Sequence, residues 1–344
     1  MTHFCMQLEI ERADASDMDP SRTNHILQDI ITSWNQLRVL DIPSTFLTTA
    51  SLAHVAQLLN LEAITAGLSD DIDFSCLNTP IFPLLRYLSV ICTSVLTCQA
   101  LLASSPLWAI RQITVKTRGG HVDNERIIKS FFTFLESRLS KKDLLGISIY
   151  NSDFPNALNN HCLDIATLGP LFSFPYLTGL RIGTVHPFDL GNEDLQAIAK
   201  SWPRLEDLTL GSRGWGAPSK ITPSGLLPLL KRCRRLSWLA IAIDASVIDF
   251  QLDATTLIKP NTHVDHLFLQ DSRLEDPQMM AAFLSDVMPN VKCISAWHPS
   301  RMRGLEHVTA AEAEAFEKRW KETDISTKVY VQVRKQERLR AEMP

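Results

Sequence analysis

The chain lacks the spacings by which enzymes are usually recognised. It has no G-x-S-x-G, no H-E-x-x-H and no G-x-x-x-x-G-K-[ST], so no activated serine, zinc pair or phosphate loop is announced. Gly214-Trp215-Gly216 has neither the third glycine nor the strand-turn-helix context of a dinucleotide loop. Its seven cysteines form no C-x-x-C pair and no metal-ligand spacing, which points to buried, reduced thiols in an intracellular protein. An excess of basic charge is also missing. The formal net charge of −4 gives no general attraction for nucleic acid or anionic lipid. The opening MTHFCMQLEIERAD carries acids where a secretory signal needs an apolar core. Tyr87 to Ile110 is free of charge and long enough to span a bilayer, but Ser, Thr and Gln punctuate it and Pro106 interrupts it. No membrane span is expected, and no catalytic, metal or cofactor-binding residue is assigned.

What the chain does have is a recurring L-x-x-L-x-L. In NEDLQAIAKSWPRLEDLTLG, Leu195, Ile198 and Ala199 recur at helical spacing and Pro203 stops the helix. Leu205, Leu208 and Leu210 then follow as the strand signature of a leucine-rich repeat. Equivalent triplets are Cys5-Leu8-Ile10, Leu37-Leu40-Ile42, Leu61-Ile64-Ala66, Leu85-Leu88-Val90, Ile110-Ile113-Val115, Leu144-Ile147-Ile149 and Leu177-Leu180-Ile182. Leu236-Leu239-Ile241, Val264-Leu267-Leu269 and Val291-Ile294-Ala296 complete eleven, spaced 24 to 34 residues apart. A unit of this kind hides its apolar edge only by stacking on copies of itself. The expected fold is therefore an α/β leucine-rich-repeat solenoid over residues 1–303, with a curved parallel sheet on the concave side and helices on the convex side.

Between the triplets, SLAHVAQLLN reads as a helix with Leu52, Val55, Ala56 and Leu59 inward and His54 on its solvated side. Trp34 and Trp202 end helices and are read as buried. Four connections that leave strand C-terminal ends are long: KTRGGHVDNER, YNSDFPNALNNHC, GTVHPFDLGN and GSRGWGAPSKIT. They are expected to line one rim and carry recognition. Residues 304–344 form the expected C-terminal cap. Thr309-x-x-Glu312 is a capping box opening a helix with Phe316 and Trp320 as docking residues, VYVQV alternates as a short strand, and RKQERLRAEM is a charged helix.

Three phrases together carry a family resemblance: GNEDLQAIAKSWPRLEDLTLG, TPSGLLPLLKRCRRLSWLAIAIDA and LFLQDSRLEDPQMMAAFLSDVMPNVKCISAW. They resemble the leucine-rich-repeat region of the F-box-type proteins of mushroom-forming fungi, most clearly from Thr178 to Trp297. The resemblance implies a substrate receptor of a cullin-type ubiquitin ligase, whose F-box binds the adaptor while the repeats hold the target. No F-box pattern is found before Leu37 or elsewhere, so a cullin adaptor is expected as partner only if an F-box is encoded upstream.

Strand alternation puts the second and third residues of each triplet toward the core and their neighbours outward. Outward positions include Tyr87, Tyr150, Arg181, Asp207, Trp238, His266, Phe268, Cys293 and Trp297. Trp238, His266, Phe268 and Trp297 come from three successive strands and are expected to make one diagonal aromatic patch. Arg213 and Trp215 on the long rim loop extend it, and Arg181 and Tyr150 lie on the same face. Two outcomes stay open: a docking patch, or a cap folded back so that Trp297, and with it Phe268, joins the core. The function expected is a protein-binding module on the concave face and rim loops, either as the target-recognition part of a ubiquitin-ligase receptor or as a stand-alone scaffold.

Overall fold

The computed structural model describes residues 28–77, 81–105, 107–119, 123–151, 161–211, 214–250, 259–298 and 308–342. The chain divides into two compact units, Met1–Phe154 and Pro155–Pro344.

In the first unit five parallel strands lie side by side in chain order: β1 (Val39–Leu47), β2 (Ala63–Leu68), β3 (Tyr87–Cys92), β4 (Gln112–Thr117) and β5 (Gly146–Asn151). The middle residue of each triplet sets the register: Leu40 pairs with Ile64, Ile64 with Leu88, Leu88 with Ile113, and Ile113 with Ile147. Between the strands run α1 (Thr49–Ala56), α2 (Val95–Ala103) and α3 (Glu125–Arg138). Each starts on a side-chain cap, because the first turn of a helix leaves its N–H groups without partners. Thr48 and Ser51 cap α1 reciprocally, Ser94 accepts from the Leu96 N–H at 3.1 Å, and the Asn124 side chain accepts from Ile127 at 3.0 Å. Ile128, Phe131, Phe132 and Leu135 give α3 a buried stripe at helical spacing. Carboxylates tie one repeat to the next. Asp123 accepts from the Ser94 hydroxyl and the Val95 N–H, and Asp70 accepts from the Thr93 and Thr97 hydroxyls.

The second unit repeats the plan with β6 (Gly179–Gly183), β7 (Asp207–Leu210), β8 (Trp238–Ala240), β9 (His266–Phe268) and β10 (Cys293–Ser295), again parallel neighbours in chain order. Leu180, Leu208, Leu239, Leu267 and Ile294 form one register row. Two further ladders of two residues stitch the connections together, Leu163–Asp164 with Phe188–Asp189 and Asp244–Ala245 with Arg273–Leu274. Besides a single turn at Ile165–Leu168, its α-helices among the described residues are α4 (Asn192–Ser201), α5 (Leu226–Arg232), α6 (Pro277–Val287) and α7 (Ala310–Glu342).

All ten triplets within the described residues are buried throughout; the eleventh, Cys5-Leu8-Ile10, lies outside them. Removing each Leu, Ile or Val of these triplets from water contributes about 1.5–3 kcal/mol, so these rows are the core of both units. Other expectations need correction. Leu59 is 70 % exposed because α1 ends at Ala56, and Leu58 takes the inward place. The His54 ring is half-buried, 2.8 Å from the carbonyl oxygen of Trp34. Trp34 is only half-buried, whereas Trp202 is fully enclosed against Phe172. VYVQV is not a strand. It continues α7, whose Trp320, Thr323, Thr327 and Val331 form one buried helical stripe.

That last helix covers the end of the second unit's core. It runs against α6, with the Tyr330 hydroxyl donating to Gln278 at 2.8 Å and Arg334 donating to the Ala282 carbonyl at 3.1 Å. Asp324 accepts from the Ile294 N–H of β10 at 3.0 Å, so a carboxylate satisfies a backbone donor of the last strand. The capping box forms, with the Thr309 N–H donating to Glu312 at 2.8 Å and the Glu312 N–H donating to the Thr309 hydroxyl at 3.2 Å. No helix among the described residues is long and apolar enough to cross a membrane.

Candidate functional site

The outward side of β8 and β9 brings three of the expected residues together. Trp238 and His266 are register partners on adjacent strands, and their rings stack at 5.1 Å and 27°. Phe268, two residues further along β9, lies diagonally across from Trp238 at 4.5 Å and 34°. Its own register partner is Ala240, small enough to leave room for that diagonal. His266 and Phe268 complete the triangle at 6.2 Å, their ring planes nearly parallel at 8°. All three side chains are half-buried, so each keeps a face toward solvent. Such a cluster is preorganised, because the rings fix one another before any partner arrives.

Polar groups frame the cluster. The His266 Nδ1 donates to Asp265 Oδ1 at 2.7 Å, and Lys292 Nζ donates to Asp265 Oδ2 at 3.2 Å. The Asp265 carboxyl is held below its ordinary value by the hydrogen bond from His266 foremost, with Lys292 adding to it. Asp265 therefore orients the imidazole, and its signal in the sequence was only its place directly before His266. On the other side Arg181 of β6 is paired with Asp207 of β7, its Nε 2.9 Å from Oδ2, and Asp207 is the register partner of Trp238. Cys293 of β10 is the half-buried register partner of His266. An aromatic floor with an ion pair on each side can hold an apolar or aromatic side chain and orient polar groups around it.

The other expected residues fall elsewhere. Trp215 is fully buried: its ring packs 5.4 Å from Phe188, its indole N–H donates to the Leu210 carbonyl at 2.9 Å, and its backbone N–H donates to Asp271 at 2.9 Å. The loop was expected to present this tryptophan; instead Asp271 pulls the backbone inward. Trp297 is also core, only 2 % exposed, with its indole N–H on the Ser272 carbonyl at 2.7 Å and its ring 5.5 Å from Phe316 of α7. The terminal helix thus covers Trp297, while Phe268 stays half-buried. Tyr150 belongs to the first unit, half-buried on β5 in register with Lys116. Arg213 lies outside the described residues, as do parts of three rim loops.

No local pattern announces the hub Gln270-Asp271-Ser272. Gln270 adopts a left-handed backbone and donates to the Leu210 and Gly211 carbonyls at 2.7 and 3.0 Å. Asp271 accepts from the N–H groups of Trp215 and Gly216, and Ser272 accepts from the Ile243 N–H at 2.7 Å. Burial pushes the Asp271 carboxyl up to about 6, against the lowering pull of those backbone donors. This group is structural, since it is enclosed. The basic residues near the end of α5 are also engaged in the fold: Arg234 donates to the Lys259 carbonyl at 2.7 Å and Arg235 pairs with Glu206 at 2.6 Å. No cluster of three or more metal-ligating side chains occurs among the described residues.

The fold that positions this site is α/β, with parallel strands and intervening helices in each unit. No family model matches the chain, and no curated protein matches it. Among solved structures it is similar to the crystal structure of the Rad7 and Elc1 complex in yeast, at 16% identity and a TM-score of 0.40, covering 79% of this chain and 69% of that one.

Proposed function

We propose that the chain is a leucine-rich-repeat solenoid that binds a partner protein on the outward face of its strands. The observation that carries this reading is the Trp238, His266 and Phe268 cluster, three half-exposed rings locked together on adjacent strands. Folding gains little from leaving aromatic faces wet, whereas a partner that covers them gains hot-spot energy without having to order the rings first. Arg181 and Asp207 on one side, and Asp265 and Lys292 on the other, supply the charged frame that selects the partner's orientation.

The test is partner capture by the full chain. Trp238→Ala and Phe268→Ala should each weaken capture by at least about 2 kcal/mol, the scale of an interface hot spot, while the fold is kept at a cost in stability of no more than about 1–2 kcal/mol. Unchanged capture, or loss of the folded state, would reject the face.

The resemblance to fungal F-box-type repeats adds a more specific role, target recognition for a cullin-type ubiquitin ligase. Immunoprecipitation of the cellular gene product, probed for the cullin adaptor, decides it. Recovery of the adaptor supports the receptor. Recovery of partner without adaptor leaves a stand-alone scaffold.

A further inference from the structure

The solvent side of α7 presents an arrangement that the aromatic cluster does not use. Ile325, Val329 and Val333 recur every four residues and are 65 %, 53 % and 44 % exposed; Leu339, at 61 %, continues the same side. The helix is held by its opposite stripe, so burial of these four side chains is not needed to dock it. Around them stand Lys318, Lys321, Lys328, Lys335 and Arg340, against the exposed carboxylates Glu314, Glu322 and Glu337. Lys321 and Lys328 are each paired with an acid four residues earlier, while Lys318, Lys335 and Arg340 carry no ion pair among the described residues. Beside the ridge lies a cleft of about 510 Å³, with Lys328, Val331 and Lys335 on one wall and His263, Asp265 and Lys292 on the other.

Three occupants can be weighed on charge and shape. A second copy of α7 would set lysines against lysines, which is repulsive. A bilayer would swallow Gln332 and Gln336, which lie between the aliphatics, without pairing their amides, and it would leave the cleft unfilled. A protein helix with an apolar stripe and acidic flanks satisfies every element at once. Its stripe covers Ile325, Val329, Val333 and Leu339, its carboxylates meet the cations, and its polar side chains pair with the two amides. We infer that α7 and the cleft beside it form a second docking surface, for an acidic amphipathic helix of a partner protein.

The experiment uses the full chain and a fluorescent synthetic peptide with leucine at i, i+4, i+7 and i+11 and glutamate at the flanks. The controls are a scrambled peptide of the same composition and a glutamine-for-glutamate version. By anisotropy the acidic helix should bind at least about tenfold more tightly than either control, and Lys335→Glu or Val329→Asp should each cost about tenfold or more. Both positions are exposed, and thermal melting verifies that the fold is kept. Trp238→Ala and Phe268→Ala should leave peptide binding unchanged, which separates this surface from the strand face. Equal binding of all three peptides, or insensitivity to both substitutions, overturns the assignment. So does a dimer in sedimentation that Val329→Asp dissolves, or tight binding to phosphatidylserine vesicles that the peptide cannot displace.

Discussion

Trp297 and Trp320 donate their indole N–H groups to one acceptor, the Ser272 carbonyl oxygen, at 2.7 and 2.9 Å. One comes from the segment after the last strand and the other from α7, so this oxygen is the point at which the terminal helix is pinned to the repeats. Arg319 reinforces it, donating to the Leu274 carbonyl at 2.7 Å.

A shared acceptor predicts non-additive mutants. Trp320→Phe keeps an aromatic ring but removes the indole N–H and some buried volume, and leaves Ser272 with the other donor. It should cost about 1 kcal/mol for the hydrogen bond and about 1 kcal/mol more for the lost volume, as should Trp297→Phe. The double variant strips a buried carbonyl of both indole bonds and should lose about 1–3 kcal/mol beyond the sum. A double-mutant cycle by urea unfolding measures the excess, and strict additivity would show that the two bonds do not share one role. Trp320→Ala, a cavity in the core, should cost about 3–5 kcal/mol and strip hydrogen-exchange protection from α7 first.

The sequence placed Trp215 and Trp238 together on the binding surface, and the structure separates them. Trp215 is enclosed and hydrogen-bonded, while Trp238 is half-exposed. Trp215→Ala should therefore destabilise by about 3–5 kcal/mol. Trp238→Ala should lose only the ring contacts, about 1–2 kcal/mol, while abolishing partner capture. Equal losses of stability in the two variants would place Trp238 in the core.

The strand positions were legible because each triplet repeats the same solution to one local problem, hiding an apolar edge. Leu40, Ile64, Leu88, Ile113 and Ile147 fall into one register row as their spacing implied. The Trp238, His266 and Phe268 cluster was legible for the same reason, since strand alternation fixes which residues share a side. Trp215 was misread because its fate depends on Asp271, 56 positions later, and no local pattern announces that pairing. Val329 to Val333 was misread because alternation over five residues is weaker evidence than the helical stripe running from Trp320 to Val331. The basic and apolar ridge of α7 went unseen for that reason.

Asp271 predicts a pH signature. Its carboxyl, ordinarily near 3.8, lies at about 6 in the folded chain because burial disfavours the charged form. Between those values the folded state binds the proton more readily than the unfolded one. Stability relative to Asp271→Asn should thus be greatest below about 4, fall as pH rises toward about 6, and level off above, by on the order of 3 kcal/mol at most. Urea midpoints of both proteins across that range measure it. A flat difference would mean that the backbone donors of Trp215 and Gly216 hold the carboxylate ionised throughout. Gly214→Ala tests the same pocket sterically: with φ at +100°, an added Cβ would lie 2.5 Å from the Asp271 carboxyl carbon, and about 1–3 kcal/mol should be lost.

The thiols divide by the same logic of burial. Cys92 and Cys233 are pushed up to about 12, in both cases chiefly by desolvation, with the charges of Asp123 and Asp70 adding to it at Cys92. Cys98, also enclosed, is raised well above the ordinary thiol value. Only a thiolate attacks an alkylating reagent, so these three should stay unlabelled by iodoacetamide at pH 8 in the native state. Cys162 is exposed, and Cys76 and Cys293 are half-buried, so these should react. Mass spectrometry after brief labelling reads the pattern site by site. Protection of Cys293 when a partner is bound would place that partner over the strand face beside His266, because the two residues are register neighbours. Undiminished labelling of Cys293 in a saturated complex would move the partner elsewhere.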